Sequence, residues 1–283
     1  VNIDQYPTAG VTNIVVDPFE NIVCTTAKDL GIVVFYRYDS ASATLEKIKA
    51  MGPSGGRWGS TTTNTVIDPL YKTYFVVDRS GKKAYFGTYS DTSVTEKSSI
   101  DLYDYLYPIS NPTSIDLSPD GSRLVVSCPS NNSFHSYQVV RNYPDSLYLG
   151  LESNIPVPSN LGDGPYGAVV MGSVAQLMME EGLHLFSIGG GELDWTHVRK
   201  VSDGSSPVSD ICFNSAKTKE WILQEGSTSY ISSMNLYNGA PIDSSTPTPL
   251  ASFRGKVIAS SPLENFLAVG STNQLMLFRI GDN

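Results

Sequence analysis

The strongest constraint in this chain is the stretch 114–127, Ser-Ile-Asp-Leu-Ser-Pro-Asp-Gly-Ser-Arg-Leu-Val-Val-Ser. Ile115 and Leu117 alternate with polar neighbours, the period of a half-buried strand. Pro119 fixes φ and Gly121 accepts φ > 0, so Pro119-Asp120-Gly121 turns the chain. Leu124-Val125-Val126 then returns as a second strand rich in β-branched residues.

The same unit recurs. The first copy has strands at 13–16 and 21–25 around Asp17-Pro18-Phe19-Glu20, and the second has 65–67 and 74–77 around Asp68-Pro69-Leu70-Tyr71. The fourth, 166–170 and 176–179, turns at Gly172-Ser173 without proline. The fifth has 208–213 and 220–223, and the sixth has 257–259 and 266–269 around Ser261-Pro262. A third strand follows in every copy. A fourth follows in all but the last, and that of the fifth copy is expected at 250–253. In the first copy this outer strand, Leu45-Glu46-Lys47-Ile48-Lys49, alternates apolar and charged residues as a protected edge does.

Six copies in 283 residues average about 47 each, the length of a propeller blade. A sandwich or barrel would also need many short strands, but sixfold recurrence of four strands favours an all-β, six-bladed β-propeller. No linker or low-complexity tract divides the chain, so residues 1–283 are expected to form one domain. The sixth blade is one strand short, and residues 1–5 precede the first blade. They are expected to pair with the strand at 274–279 and close the ring.

The chain carries 19 Lys and Arg against 28 Asp and Glu, a net charge of −9, and has no basic run. Such a surface repels phosphate backbones, so nucleic acid is not an expected partner. No apolar run reaches the roughly 20 residues of a membrane helix, and the first residues lack a signal-peptide pattern, so a soluble protein without membrane association is expected. Localisation stays open. Cys24, Cys128 and Cys212 are too few and too widely spaced for a disulfide framework, and they lie in apolar strands as core residues do. Reduced thiols fit a cytosolic or virion setting.

The run from Ser118 to Ser127, with Asn131-Asn132-Ser133 and the strand after it, resembles blades of the lactonase-like and WD40-like propeller superfamilies. Fainter echoes occur at Asp17-Pro18, Asp68-Pro69 and Ser261-Pro262. The chain departs from WD40 proteins in having no Gly-His or Trp-Asp pair, and six blades differ from the seven expected of lactonase-like enzymes. The resemblance implies the fold and transfers no catalytic residue.

Loops entering the inner strands bring Thr12, Asn13, Thr63, Asn64, Asn111, Thr113, Tyr166, Ser209 and Asp210 toward the mouth expected of a propeller channel. These are mostly hydroxyls and amides. Only Asp163 and Asp210 could approach a hard cation there, too few for an oxygen cage, so neither metal nor other cofactor is expected. His135, His184 and His197 read as strand residues, and no Gly-x-Ser-x-Gly accompanies them. Arg57-Trp58, flanked by glycines, offers either an interface anchor or a residue packed between blades. Tyr103, Tyr105 and Tyr107 share one face, expected to be an inter-blade seam.

With no catalytic set visible, the leading expectation is a non-enzymatic protein-binding or scaffold module, such as a structural component of a virion, with protein or assembly partners. Its candidate interaction residues are Arg57, Trp58, Asp163, Tyr166 and Asp210. The alternatives are a lactonase-like or other small-substrate hydrolase with its site at the channel mouth, and a carbohydrate binder using Trp58 and the tyrosines.

Overall fold

The computed structural model describes residues 11–17, 19–27, 31–39, 41–42, 44–52, 62–102, 111–142, 146–161, 164–171, 174–179, 182–188, 195–200, 207–214, 218–224, 228–237, 240–241, 248–250, 253–260, 266–270 and 275–280. They form six antiparallel sheets whose strands follow one another in chain order, the arrangement of a six-bladed β-propeller. Contacts divide the chain into two compact units, Val1–Val157 and Pro158–Asn283.

The first unit holds three blades. Blade one is β1 (Val11–Asp17), β2 (Ile22–Ala27), β3 (Ile32–Asp39) and β4 (Thr44–Met51). Blade two is β5 (Thr62–Asp68), β6 (Thr73–Asp78), β7 (Lys83–Tyr89) and β8 (Val94–Asp101). Blade three is β9 (Ser114–Leu117), β10 (Arg123–Cys128), β11 (Ser133–Asn142) and β12 (Ser146–Pro156). The turn between β9 and β10 forms as its residues require. Gly121 sits at φ 69°, its N–H donates to Ser118 O at 2.8 Å, and Ser118 Oγ donates to Asp120 Oδ1 at 2.6 Å.

The second unit holds the other three. Blade four is β13 (Gly167–Met171), β14 (Val174–Met179), β15 (Gly182–Ile188) and β16 (Trp195–Lys200). Blade five has β17 (Val208–Phe213), β18 (Lys219–Gln224) and β19 (Tyr230–Tyr237), with the two-residue strands β20 (Ala240–Pro241) and β21 (Thr248–Pro249) on its outer side. Blade six has β22 (Val257–Ser260), β23 (Phe266–Gly270) and β24 (Leu275–Arg279).

The expected outer strand at 250–253 is replaced by those two short pairings. Pro241 and Pro249 have no N–H to extend a ladder. Leu250 and Phe253 instead enter the core between blades five and six. The closing role expected of residues 1–5 lies outside the described residues.

Hydrophobic cores lie in the seams between successive blades. Tyr74, Val76 and Tyr85 meet Phe35, Cys24 and Val33 between blades one and two. Phe75, Val77 and Phe86 face the other way, toward Leu124, Val126 and Tyr137 of blade three. Because adjacent strand residues point to opposite faces and both faces are covered, β6 is buried throughout. That is why the second strands read as unbroken apolar runs rather than as alternation. The outer strands β4 and β8 return to an exposed, alternating pattern.

Candidate functional site

Asn13, Asn64 and Asp210 occupy equivalent places. Each follows a register shift two residues into an inner strand, after Val11, Thr62 and Val208 respectively. Each reaches across to the next blade. The Thr65 N–H donates to Asn13 Oδ1 at 3.3 Å, Asn64 Nδ2 donates to Ser114 Oγ at 3.4 Å, and the Ile258 N–H donates to Asp210 Oδ2 at 2.9 Å. Residues expected to await a ligand are thus engaged in tying inner strands together.

Asp210 differs from the two asparagines in being ionisable. Its second oxygen accepts the Ile211 N–H at 3.0 Å. Burial pushes its carboxyl up to about 6, against the lowering effect of those two backbone donors. A carboxylate titrating so close to neutrality can accept a proton from water and return it. Cys212, on the same strand, is partly exposed, and burial of its sulfur, with Asp210 and Glu220 nearby, pushes the thiol up to about 12.

Of the other candidates, Tyr166 immediately precedes the inner strand of blade four, with its ring exposed and its N–H donating to Met178 O at 2.8 Å. Asn111 bridges Arg79 and Ser130 at 3.3 and 2.9 Å. Arg57, Trp58, Asp163 and the tyrosines 103, 105 and 107 lie outside the described residues. His135 and His184 are buried strand residues. Among the described residues no group of three His, Cys, Asp or Glu is placed to hold a metal ion, and no helix is long and apolar enough to cross a membrane.

Two buried polar sets escaped the reading of the sequence. At the turn end of the first unit, Asp17 is fully buried and accepts from Lys72 Nζ at 3.0 Å and Tyr89 Oη at 2.8 Å. Burial pushes its carboxyl up, but these bonds and those from the Phe19 and Glu20 amides outweigh it and hold the group below the usual range. Asp68 repeats the device, accepting from the Leu70 and Tyr71 amides and from Arg141. The repeated Asp-Pro was the available signal, and it read only as a turn.

In the second unit Glu220 and Gln176 are both fully buried. Neither carboxylate oxygen and neither amide atom makes a hydrogen bond of good geometry. Burial pushes the Glu220 carboxyl up to about 7, and the Gln176 amide beside it offsets only part of that. The signal was one acid heading the apolar run Glu220-Trp221-Ile222-Leu223.

No protein-family model matches the chain, and no curated protein matches its sequence. Solved structures do match in fold. A protein from Lactobacillus plantarum aligns at 14% identity with a TM-score of 0.73, over 96% of this chain and 81% of that one. Two propellers named as candidate 6-phosphogluconolactonases are also similar. The one from Bacteroides fragilis aligns at 14% identity and TM-score 0.70, over 95% of this chain and 79% of its own. The one from Bacteroides uniformis aligns at 11% and 0.69, over 95% and 80%.

At these identities the likeness shows the fold. The leading expectation of a non-enzymatic scaffold or virion component is corrected by the names of two of these similar proteins, which are those of candidate lactonases.

Proposed function

We propose that this protein is a lactonase-like hydrolase acting on a small sugar lactone. The observation that carries the reading is the extent of the likeness to propellers named as candidate 6-phosphogluconolactonases, 95% of this chain in both cases. Asp210 is the residue whose chemistry suits the reaction. Ring opening of a lactone needs a base to take a proton from water as its oxygen adds to the carbonyl carbon. The tetrahedral intermediate then expels the ring oxygen, which takes the proton back from the acid and leaves a hydroxy acid. A carboxyl near 6 is ionised at neutral pH and returns the proton readily.

The test is hydrolysis of 6-phosphoglucono-δ-lactone and glucono-δ-lactone, each measured above its spontaneous rate. Asp210→Asn should lower kcat by about 100-fold or more. The wild-type kcat/KM should fall on the acid side with a midpoint of about 6. If neither lactone is opened faster than in buffer, the proposal fails. If both are opened but Asp210→Asn is as active as wild type, Asp210 is not the base.

A further inference from the structure

The second unit contains a cleft of about 280 Å³ between blades five and six. Its lining combines three kinds of group: the cations Lys219 and Arg279, the hydroxyls of Ser233 and Thr248, and the rings of Trp221 and Phe278, over an aliphatic floor. No residue of the inner strands β17 or β22 takes part, so the cleft is separate from Asp210.

Charge is the deciding feature. The chain has nine more acidic than basic residues, yet the cleft has two cations and no carboxylate in its lining. Alternation along β18 explains how this arises. Lys219 and Trp221 face blade six, while Glu220 between them turns the other way into the seam toward Gln176. Among the described residues neither Lys219 nor Arg279 makes an ion pair. The Lys219 ammonium instead lies 5.6 Å from the centre of the Trp221 ring, which holds a positive charge over an aromatic face at the edge of an apolar recess.

We propose that this cleft is a binding site for a small amphipathic anion, a carboxylate carrying an apolar ring or chain. The carboxylate would take charge-assisted hydrogen bonds from Lys219 and Arg279. The apolar part would cover Phe278 and the exposed edge of the recess floor. The volume is at the small end for ligand pockets, which limits the occupant to one or two fused rings or a short chain.

The experiment titrates the full chain with 2-naphthoate and, separately, with the uncharged 2-naphthalenemethanol, followed by calorimetry and by the Trp221 indole N–H resonance, assigned through Trp221→Phe. Naphthoate should bind saturably with one site and shift that resonance, and the alcohol should bind at least about tenfold more weakly. The double variant Lys219→Met, Arg279→Met keeps the apolar stems and should lose at least about tenfold in naphthoate affinity, leaving the alcohol unchanged. If that variant does not fold, raising the salt tests the same point: it should weaken naphthoate and spare the alcohol.

Asp210→Asn should bind naphthoate as wild type does, so failure of the lactonase reading would leave this site standing. The proposal is overturned if naphthoate does not saturate by concentrations on the order of 10 mM. It is also overturned if the alcohol binds equally well, or if neither the double variant nor salt affects naphthoate.

Discussion

Arg141 of β11 donates to Asp68 Oδ2 at 2.6 Å, joining residues 73 apart in sequence and tying blade three to the first turn of blade two. The same guanidinium donates to Gly121 O at 2.5 Å and lies 4.3 Å from the Tyr71 ring centre. Its side chain is 18% exposed and that of Asp68 6%, so the pair is shielded from solvent. Arg141→Ala would leave the Asp68 carboxylate buried without its cation, and about 3–5 kcal/mol of unfolding free energy should be lost. Arg141→Lys should recover only part, since an ammonium cannot serve two acceptors with a planar fork while stacking on Tyr71. Urea denaturation of the two variants checks both expectations.

Gly121 completes the same contact. Its φ of 69° is left-handed, and a methyl group there would collide with the Asp68 carboxylate. Gly121→Ala should therefore cost about 1–3 kcal/mol, combining backbone strain with displacement of the acid that Arg141 holds. Alanine at Gly150, where a methyl group meets nothing within 4 Å, is the matched control. Equal unfolding midpoints for the two variants would contradict this account.

The buried Glu220 makes a prediction about pH. Its folded pKa, about 7, lies above the ordinary 4.5. Between those values the folded chain keeps a proton that the unfolded chain has released, so stability falls as pH rises through the window. Above it the folded chain bears the whole cost of a buried charge. Glu220→Gln removes the ionisation and keeps the shape. The variant should match wild type near pH 4 and exceed it at pH 8 by an amount on the order of 3 kcal/mol. Thermal melts across that range would show the two curves diverging, and parallel curves would mean that Glu220 is not buried as a charge.

Asp210 obeys the same sign over a lower window, from the ordinary 3.8 to about 6. Asn13 already makes the equivalent tie, accepting a backbone N–H of the next blade, and Asn64 reaches its neighbour by donating to Ser114 Oγ. Asp210→Asn should stay folded, because loss of one backbone acceptor, about 1–3 kcal/mol, is offset above pH 6 by removal of the charge. The measured stability of the variant relative to wild type should improve as pH rises from 4 to about 7. A collapse in stability at pH 7 would make any loss of activity uninformative about catalysis.

The blade pattern was legible because its causes are local. Strand, turn and return strand at 114–127 depend on alternation, one proline and one glycine, all within a few residues of one another. The start of each inner strand was legible for the same reason, with Asp210 visible there, although Asn13, Asn64 and Asp210 lie within β1, β5 and β17 and not in the loops expected before them. What local chemistry could not reveal is the partner of each polar side chain. Asp17 and Asp68 read as turn residues, and they are; each also anchors a cation or hydroxyl from the next blade, 55 to 73 residues away.

Likewise Glu220 became a titratable acid only when packing buried it, with Gln176 of blade four beside it offsetting part of the effect. Lys219, Trp221 and Arg279 became one surface only when blade six came to lie against blade five. The sequence by itself determined most strands and turns, since those choices rest on each residue's own backbone and side-chain preferences, whereas the outer strand expected at 250–253 gave way to core packing of Leu250 and Phe253. The tertiary structure alone decided which charges are buried, tied or left facing a cleft, because the dielectric and the partners around a group are set by residues from a different blade.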